Sequence, residues 1–371
     1  MPETKKPDPK KPDAKKPAAK PTEPHVVRQL NDKVQLTAAR FTPCGTLLVG
    51  CGFFGGVFRW NVAAEEVVEL EPLAGHGGFV HGPAFGPAGT MYTGDSWGRL
   101  RAWKYAEPRP APLWDLPQAH DGWLRDVVVA PDGQTLATCG RDGFVRLRNS
   151  AEGKLLREWR HANDDVFALA FSPDGKLLAS GDLYGRVTLR DVATGNVAGE
   201  LDAKILAKLD RLQDVGGVRL LRFTPDGKRL LVGGTQPKNG GNVQGTPTLI
   251  EFDVAAAKQL QVVDLGSGYV YVCDVQFLPN GARAVVLSGN PGSGKLALFK
   301  PGETKPYFET TKLFNCHAVS VHPSGKLLAV TAVNSNTSGN GRVKGKNGEM
   351  DYPGNWSPIH LVELPDADRT A

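Results

Sequence analysis

One short turn signal recurs seven times along the chain, and its spacing limits the available folds more than any other feature. An apolar residue, one further residue, Pro, one residue and Gly appear as FTPCG (Pro43), FGPAG (Pro87), VAPDG (Pro131), FSPDG (Pro173), FTPDG (Pro225), FLPNG (Pro279) and VHPSG (Pro323). Successive prolines lie 44, 44, 42, 52, 54 and 44 residues apart. A period of this length marks a repeated supersecondary unit that buries its apolar face only against its neighbours.

Each unit reads the same way. An apolar strand such as FALAF (Phe167 to Phe171) stops at Pro-x-Gly, because Pro presets φ and Gly tolerates a positive one. A second strand follows, as in LLASG (Leu177 to Gly181), then a tight turn, a third strand (RVTLRDV, Arg186 to Val192) and a weaker fourth (VAGELD, Val197 to Asp202). A lone four-stranded sheet of this size is marginal, with two open edges. Seven arranged radially cover one another, which predicts an all-β, seven-bladed propeller of four-stranded antiparallel blades. The last unit ends its third strand at PIHLVEL (Pro358 to Leu364), so HVVRQL (His25 to Leu30) is expected to supply its fourth strand and close the ring.

Composition agrees with many turns: 44 Gly and 28 Pro in 371 residues. The formal charge of +5 is uneven, since residues 1–24 hold seven Lys against four acids. The body is therefore nearly neutral, and no nucleic-acid face is expected. That Lys/Pro-rich stretch has nothing to bury and reads as a disordered tail, with the propeller over 25–364 and a short tail over 365–371. Five scattered cysteines form no CxxC pair, so neither a disulfide framework nor a zinc site is expected. No apolar run spans a bilayer and no apolar leader follows the first lysines, so cytoplasmic residence is the expectation.

With these residues in view, the chain resembles the WD40-repeat β-propeller family over roughly residues 25 to 364. The family's Trp-Asp at the end of the third strand is degenerate here: Trp60-Asn61, Trp103-Lys104, Arg148-Asn149, Arg190-Asp191, Phe252-Asp253, Phe299-Lys300 and Val362-Glu363. The resemblance also implies a structural network of His, Ser/Thr, Asp and Trp in each blade. By position this is His76, Thr93 and Trp103 in the second blade, with Trp97 in place of Asp. The third has His120, Thr138 and Asp142, with Arg148 for Trp, and the fourth has His161 and Ser180, with Tyr184 and Arg190 at the other places. On this reading no blade has all four members.

SGNPGSGKLALF (Ser288 to Phe299) contains most of a phosphate-binding loop, but Leu296 stands where a magnesium-binding hydroxyl belongs and LALF reads as a strand. Its place in the sixth unit makes it an enlarged turn between second and third strands. Those turns share one face with the connections between blades. There lie the departures from the minimal repeat: 203–217, 235–247, the turn around Pro291 and 334–357. Phe54, Trp97 and Tyr184 sit in tight turns of the same face, and the last loop adds Arg342, Lys344 and Trp356. These six are the candidate partner-binding residues. The expected function is a noncatalytic scaffold binding a protein or peptide, as a single propeller within a complex, with no cofactor or metal. A hydrolase with a site in the central funnel, or a passive structural module, are the alternatives, since fold does not fix function.

Overall fold

The computed structural model describes residues 22–31, 33–161, 163–210, 213–239, 244–289, 292–334, 343–344, 350–351 and 355–368. Residues 1–21, most of the expected tail, lie outside that set, as do Pro291 and most of 335–354.

Seven four-stranded antiparallel sheets follow one another in a ring. Blade 1 runs Leu36–Phe41, Leu47–Gly52, Val57–Asn61 and Val68–Leu73. Blade 2 has the shortest first strand, Ala84–Phe85, and ends at Trp114–Leu116. Blade 3 opens at Leu124–Val129, blade 4 at Val166–Phe171, blade 5 at Val218–Phe223 and blade 6 at Tyr269–Phe277. Blade 7 takes Ala318–Val321, Leu327–Thr331 and Ile359–Glu363 from the C-terminal part of the chain and His25–Leu30 as its outer strand. His25 pairs with Glu363 and Leu30 with Ile359, so the expected clasp closes the circle.

The glycine of every Pro-x-Gly turn has φ between +68° and +79°, the left-handed region that disfavours a Cβ. In blade 3 the Gly133 N–H donates to Ala130 O at 2.8 Å, tying the turn across its proline, and the space beside Gly133 is filled by the Pro87 ring of the preceding blade. The apolar core is divided rather than single. Seven buried clusters occupy the seven junctions between adjacent blades, from Val49, Met91 and Trp103 between blades 1 and 2 to Leu36, Trp60 and Leu361 between blades 7 and 1. This is what the repeat demands: each blade is stable because its neighbours cover both its faces.

Two stretches expected as loops carry strands. In blade 5 the second and third strands extend to Arg229–Asn239 and Gln244–Asp253, so most of 235–247 stands as a raised hairpin. Ahead of it a 3-10 turn, Lys204–Leu206, leads into the strand pair Ala207–Asp210 and Gln213–Gly216. In blade 6, Gly294–Phe299 is a strand, so Lys295 belongs to a sheet and pairs with Glu309 at 3.0 Å. No helix among the described residues is long and apolar enough to cross a membrane.

Candidate functional site

The face bearing the turns between second and third strands is held up by polar networks inside the blades. In blade 2, His76 Nδ1 meets Asp95 Oδ2 at 2.8 Å, His76 Nε2 meets Thr93 Oγ1 at 2.8 Å, and Trp103 Nε1 donates to Thr93 Oγ1 at 2.8 Å. The network is complete, which corrects the expectation that Trp97 replaces its acid. Asp95, two residues earlier at the end of the second strand, supplies the carboxylate and also accepts the Trp97 and Arg99 amides. Burial pushes this carboxyl up, but the His76 bond and the turn amides outweigh it and leave the pKa below its ordinary value.

Blade 3 uses a different position for the same purpose. Asp142, immediately before its turn glycine, reaches His120 Nδ1 at 3.0 Å while Thr138 takes His120 Nε2 at 2.8 Å. Blade 4 follows blade 2: Asp182, not Tyr184, faces the histidine, though more loosely, with His161 Nε2 at 3.7 Å and Ser180 on the other ring nitrogen at 2.8 Å. Arginines replace the indole in both. Arg148 donates to Gly153 O at 3.2 Å and Arg190 to Gly195 O at 3.0 Å, each clamping the carbonyl five residues ahead.

On the face above, Phe54 is 87% exposed and Trp97 68% exposed. The Trp97 indole lies over the Gly77–Gly78 backbone, where a side chain at Gly78 would strike it, so the ring is oriented while it remains accessible. Tyr184 is half-buried beneath the Arg186 guanidinium, 5.7 Å from its ring centre. Trp356 is half-buried at the base of the last loop, its carbonyl accepting the Asn334 N–H at 3.1 Å. Lys344 falls in a short strand, Val343–Lys344, paired with Met350–Asp351; Arg342 lies outside the described residues.

Sequence reasoning missed a second group at the mouth of the central channel. Phe53 packs edge-on to Phe79 at 5.0 Å, and Phe79 edge-on to Trp123 at 5.6 Å. Arg125 stands over Trp123 at 4.4 Å and over Phe167 at 4.9 Å, and Arg219 stands over Phe167 at 3.6 Å. The contacts run from blade 1 to blade 5. Arg125, Phe167 and Arg219 occupy one equivalent position, the bulge residue of the first strand, between Leu124 and Asp126, Val166 and Ala168, and Val218 and Leu220. A bulge leaves its residue unpaired and re-aims the side chain, here toward the axis. The available signal was the residue following each buried opening residue of a first strand.

Deeper in, a cavity of about 610 Å³ is lined by Arg40, His81, Arg125, Asp126, Arg222 and Gln276 among others. Its charged groups are engaged in stitching blades together. Asp126 accepts the Val127 and Leu169 amides; Asp274 accepts those of Val275 and Val319 and pairs with Arg40 and Arg222. Burial holds Asp126 above its ordinary pKa and pushes His81 down to about 4. Among the described residues no three His, Cys, Asp or Glu side chains gather as a metal site.

The blade geometry has a counterpart among known families. Residues 112–149 and 153–191 each match the WD domain, G-beta repeat (WD40) model. The propeller therefore carries WD40 repeats in blades 3 and 4. Each matched segment starts with the outer strand of the preceding blade and ends on a third strand, at Arg148-Asn149 in blade 3 and Arg190-Asp191 in blade 4, so the family pattern survives without its tryptophan. Known proteins align over part of the chain. The small ribosomal subunit protein RACK1z of Arabidopsis thaliana is 32% identical over 97 residues, covering 26% of this chain and 29% of that one. Human apoptotic protease-activating factor 1 is 30% identical over 127 residues, 33% of this chain and 10% of that protein. Rat telomerase protein component 1 is 25% identical over 230 residues, 59% of this chain and 8% of that protein. The chain thus spans less than a third of the length of each of these relatives.

Proposed function

We propose that the chain is a noncatalytic interaction scaffold that binds a protein or peptide on the face carrying Phe54, Trp97 and Tyr184. The observation that carries the reading is the exposure of Phe54 and Trp97 on a rigidly supported face. Two large aromatics left in water, one of them fixed by backbone beneath it, lose little entropy on docking, and aromatics dominate interface energetics. The raised hairpin of blade 5 and the strand pair before it, with Leu209 66% exposed, form a wall beside the same surface. Similarity to RACK1z, whose name makes it a ribosomal subunit protein, supports a place within a larger assembly. Five free thiols fit a reducing compartment, and cytoplasmic residence is part of the proposal.

The catalytic alternative has less support. Asp126 and Asp274 point their oxygens at backbone amides and arginines that hold adjacent blades, and such commitments suit a structural seam more than a general base.

Quantitative affinity capture with the wild-type chain and a Phe54→Ala/Trp97→Ala variant tests the reading. A defined set of partners lost by the variant, with unchanged thermal stability, is expected. Identical partner sets would overturn it.

A further inference from the structure

The stack at the channel mouth ends in an unbalanced charge. Arg125 is neutralised by Asp165, which takes its Nε at 2.8 Å and Nη2 at 2.9 Å. Arg219 has no carboxylate partner among the described residues. Its Nε donates to Gly216 O at 2.9 Å and its plane rests on Phe167, which fixes the guanidinium; its two terminal nitrogens make no hydrogen bond among the described residues. The Arg219 side chain is exposed, with Arg125, Asp165 and Tyr271 near enough to act on its charge. Crowding, helped by the nearby Arg125 charge, lowers its pKa to about 10, so it stays cationic at neutral pH.

We propose that Arg219 is the receptor for a single carboxylate of an acidic peptide laid across the mouth of the channel. This deepens the interaction reading and rests on it. The free edge of a guanidinium presents two parallel N–H donors at the spacing of the two carboxylate oxygens, and the bond at Nε together with the stack on Phe167 removes most of the ordering cost. The charge balance favours a carboxylate over a phosphate. One positive charge with no ion-pair partner among the described residues matches one carboxylate, while a dianion would bring a second charge that this guanidinium does not balance. Tyr271, close enough to feel the Arg219 charge, supplies a phenol beside the site.

The test uses the full chain and immobilised random peptides made in matched sets with Glu, Gln or phosphoserine at the central position. The wild type is expected to prefer Glu over Gln by about tenfold, the worth of one charge-assisted bidentate contact. Arg219→Gln should bind the Glu and Gln sets equally, and Arg219→Lys should keep only part of the preference, because it keeps the charge and loses the fork. Phe54→Ala/Trp97→Ala should weaken both sets alike. A Glu preference that survives Arg219→Gln, equal binding of Glu and Gln by the wild type, or a preference for phosphoserine overturns the proposal and leaves the interaction reading standing. No binding of any set by the wild type counts against both. Equal thermal midpoints for wild type and Arg219→Gln show that the comparison is between folded proteins.

Discussion

Asp126 of blade 3 accepts the backbone N–H of Leu169 in blade 4 at 2.9 Å. The same stitch recurs between blades 6 and 7, where Asp274 accepts the Val319 amide at 3.1 Å and also pairs with Arg40 and Arg222, from blades 1 and 5. The two acids should respond differently to substitution. Asp274→Ala strands two guanidiniums in the channel and should cost about 3–5 kcal/mol in urea unfolding. Asp126→Asn keeps one carbonyl oxygen for the Leu169 amide and removes a carboxylate disfavoured by burial, losing the bond from the adjacent Val127 amide, so its cost should stay at about 1–2 kcal/mol. Equal losses at the two sites would contradict this assignment.

The clasp gives a second expectation. His25–Leu30 is mostly exposed and contributes chiefly ladder bonds to Ile359–Glu363. Deleting residues 25–30 should open a bare sheet edge, lower the thermal midpoint and produce oligomers by light scattering. A deletion that leaves both midpoint and monodispersity unchanged would show that closure does not depend on this strand.

Blade 2 separates a structural residue from a surface one two positions away. Asp95→Ala removes the acceptor of His76 and of two turn amides and should cost about 2–3 kcal/mol. Trp97→Ala should lie within about 0.5 kcal/mol of wild type, since its ring is mostly in water. Denaturant midpoints for the two variants decide the point, and a reversed order would mean that Trp97 holds the turn.

Acid sensitivity should begin early. Burial lowers the pKa of His81, His161 and His317 to about 4 each, against 6.5 for an unperturbed histidine. Between pH 6.5 and 4 the unfolded chain binds more protons than the folded one, so stability must fall as pH falls through that window. The carboxylates act lower: Asp115, held at about 2 chiefly by its bond from Arg99, loses its contribution only below pH 4. Urea midpoints measured from pH 7 to 4 should decline throughout, with a shallower slope for His317→Gln. A flat profile from pH 6.5 to 4.5 would contradict the neutral, buried state of these rings.

How far the sequence could be read follows from where its signals are local. Pro-x-Gly turns announce themselves because a positive φ needs glycine, and all seven were readable with their period, the ring and the His25–Leu30 clasp. Asp95 and Asp182 were not, because the acid moves from one side of the tight turn to the other between blades while still reaching the same histidine. Arg125, Phe167 and Arg219 were hidden for a related reason. A bulge breaks the two-residue alternation of a strand, so a residue that sequence places by period faces the axis instead. The insertions 203–217 and 235–247 were legible as departures from the repeat, but the hairpin nature of 235–247 depends on pairing across the sheet, which no local pattern states.

The central claim is that one face of this ring does the binding. Hydrogen–deuterium exchange on the chain with and without a captured partner measures that directly. The account predicts slowed exchange in the turns carrying Phe54, Trp97 and Tyr184, and no change in the Pro-x-Gly turns at Pro43, Pro87 and Pro173. Protection confined to the Pro-x-Gly turns or to the outer strands would place the partner elsewhere and contradict it.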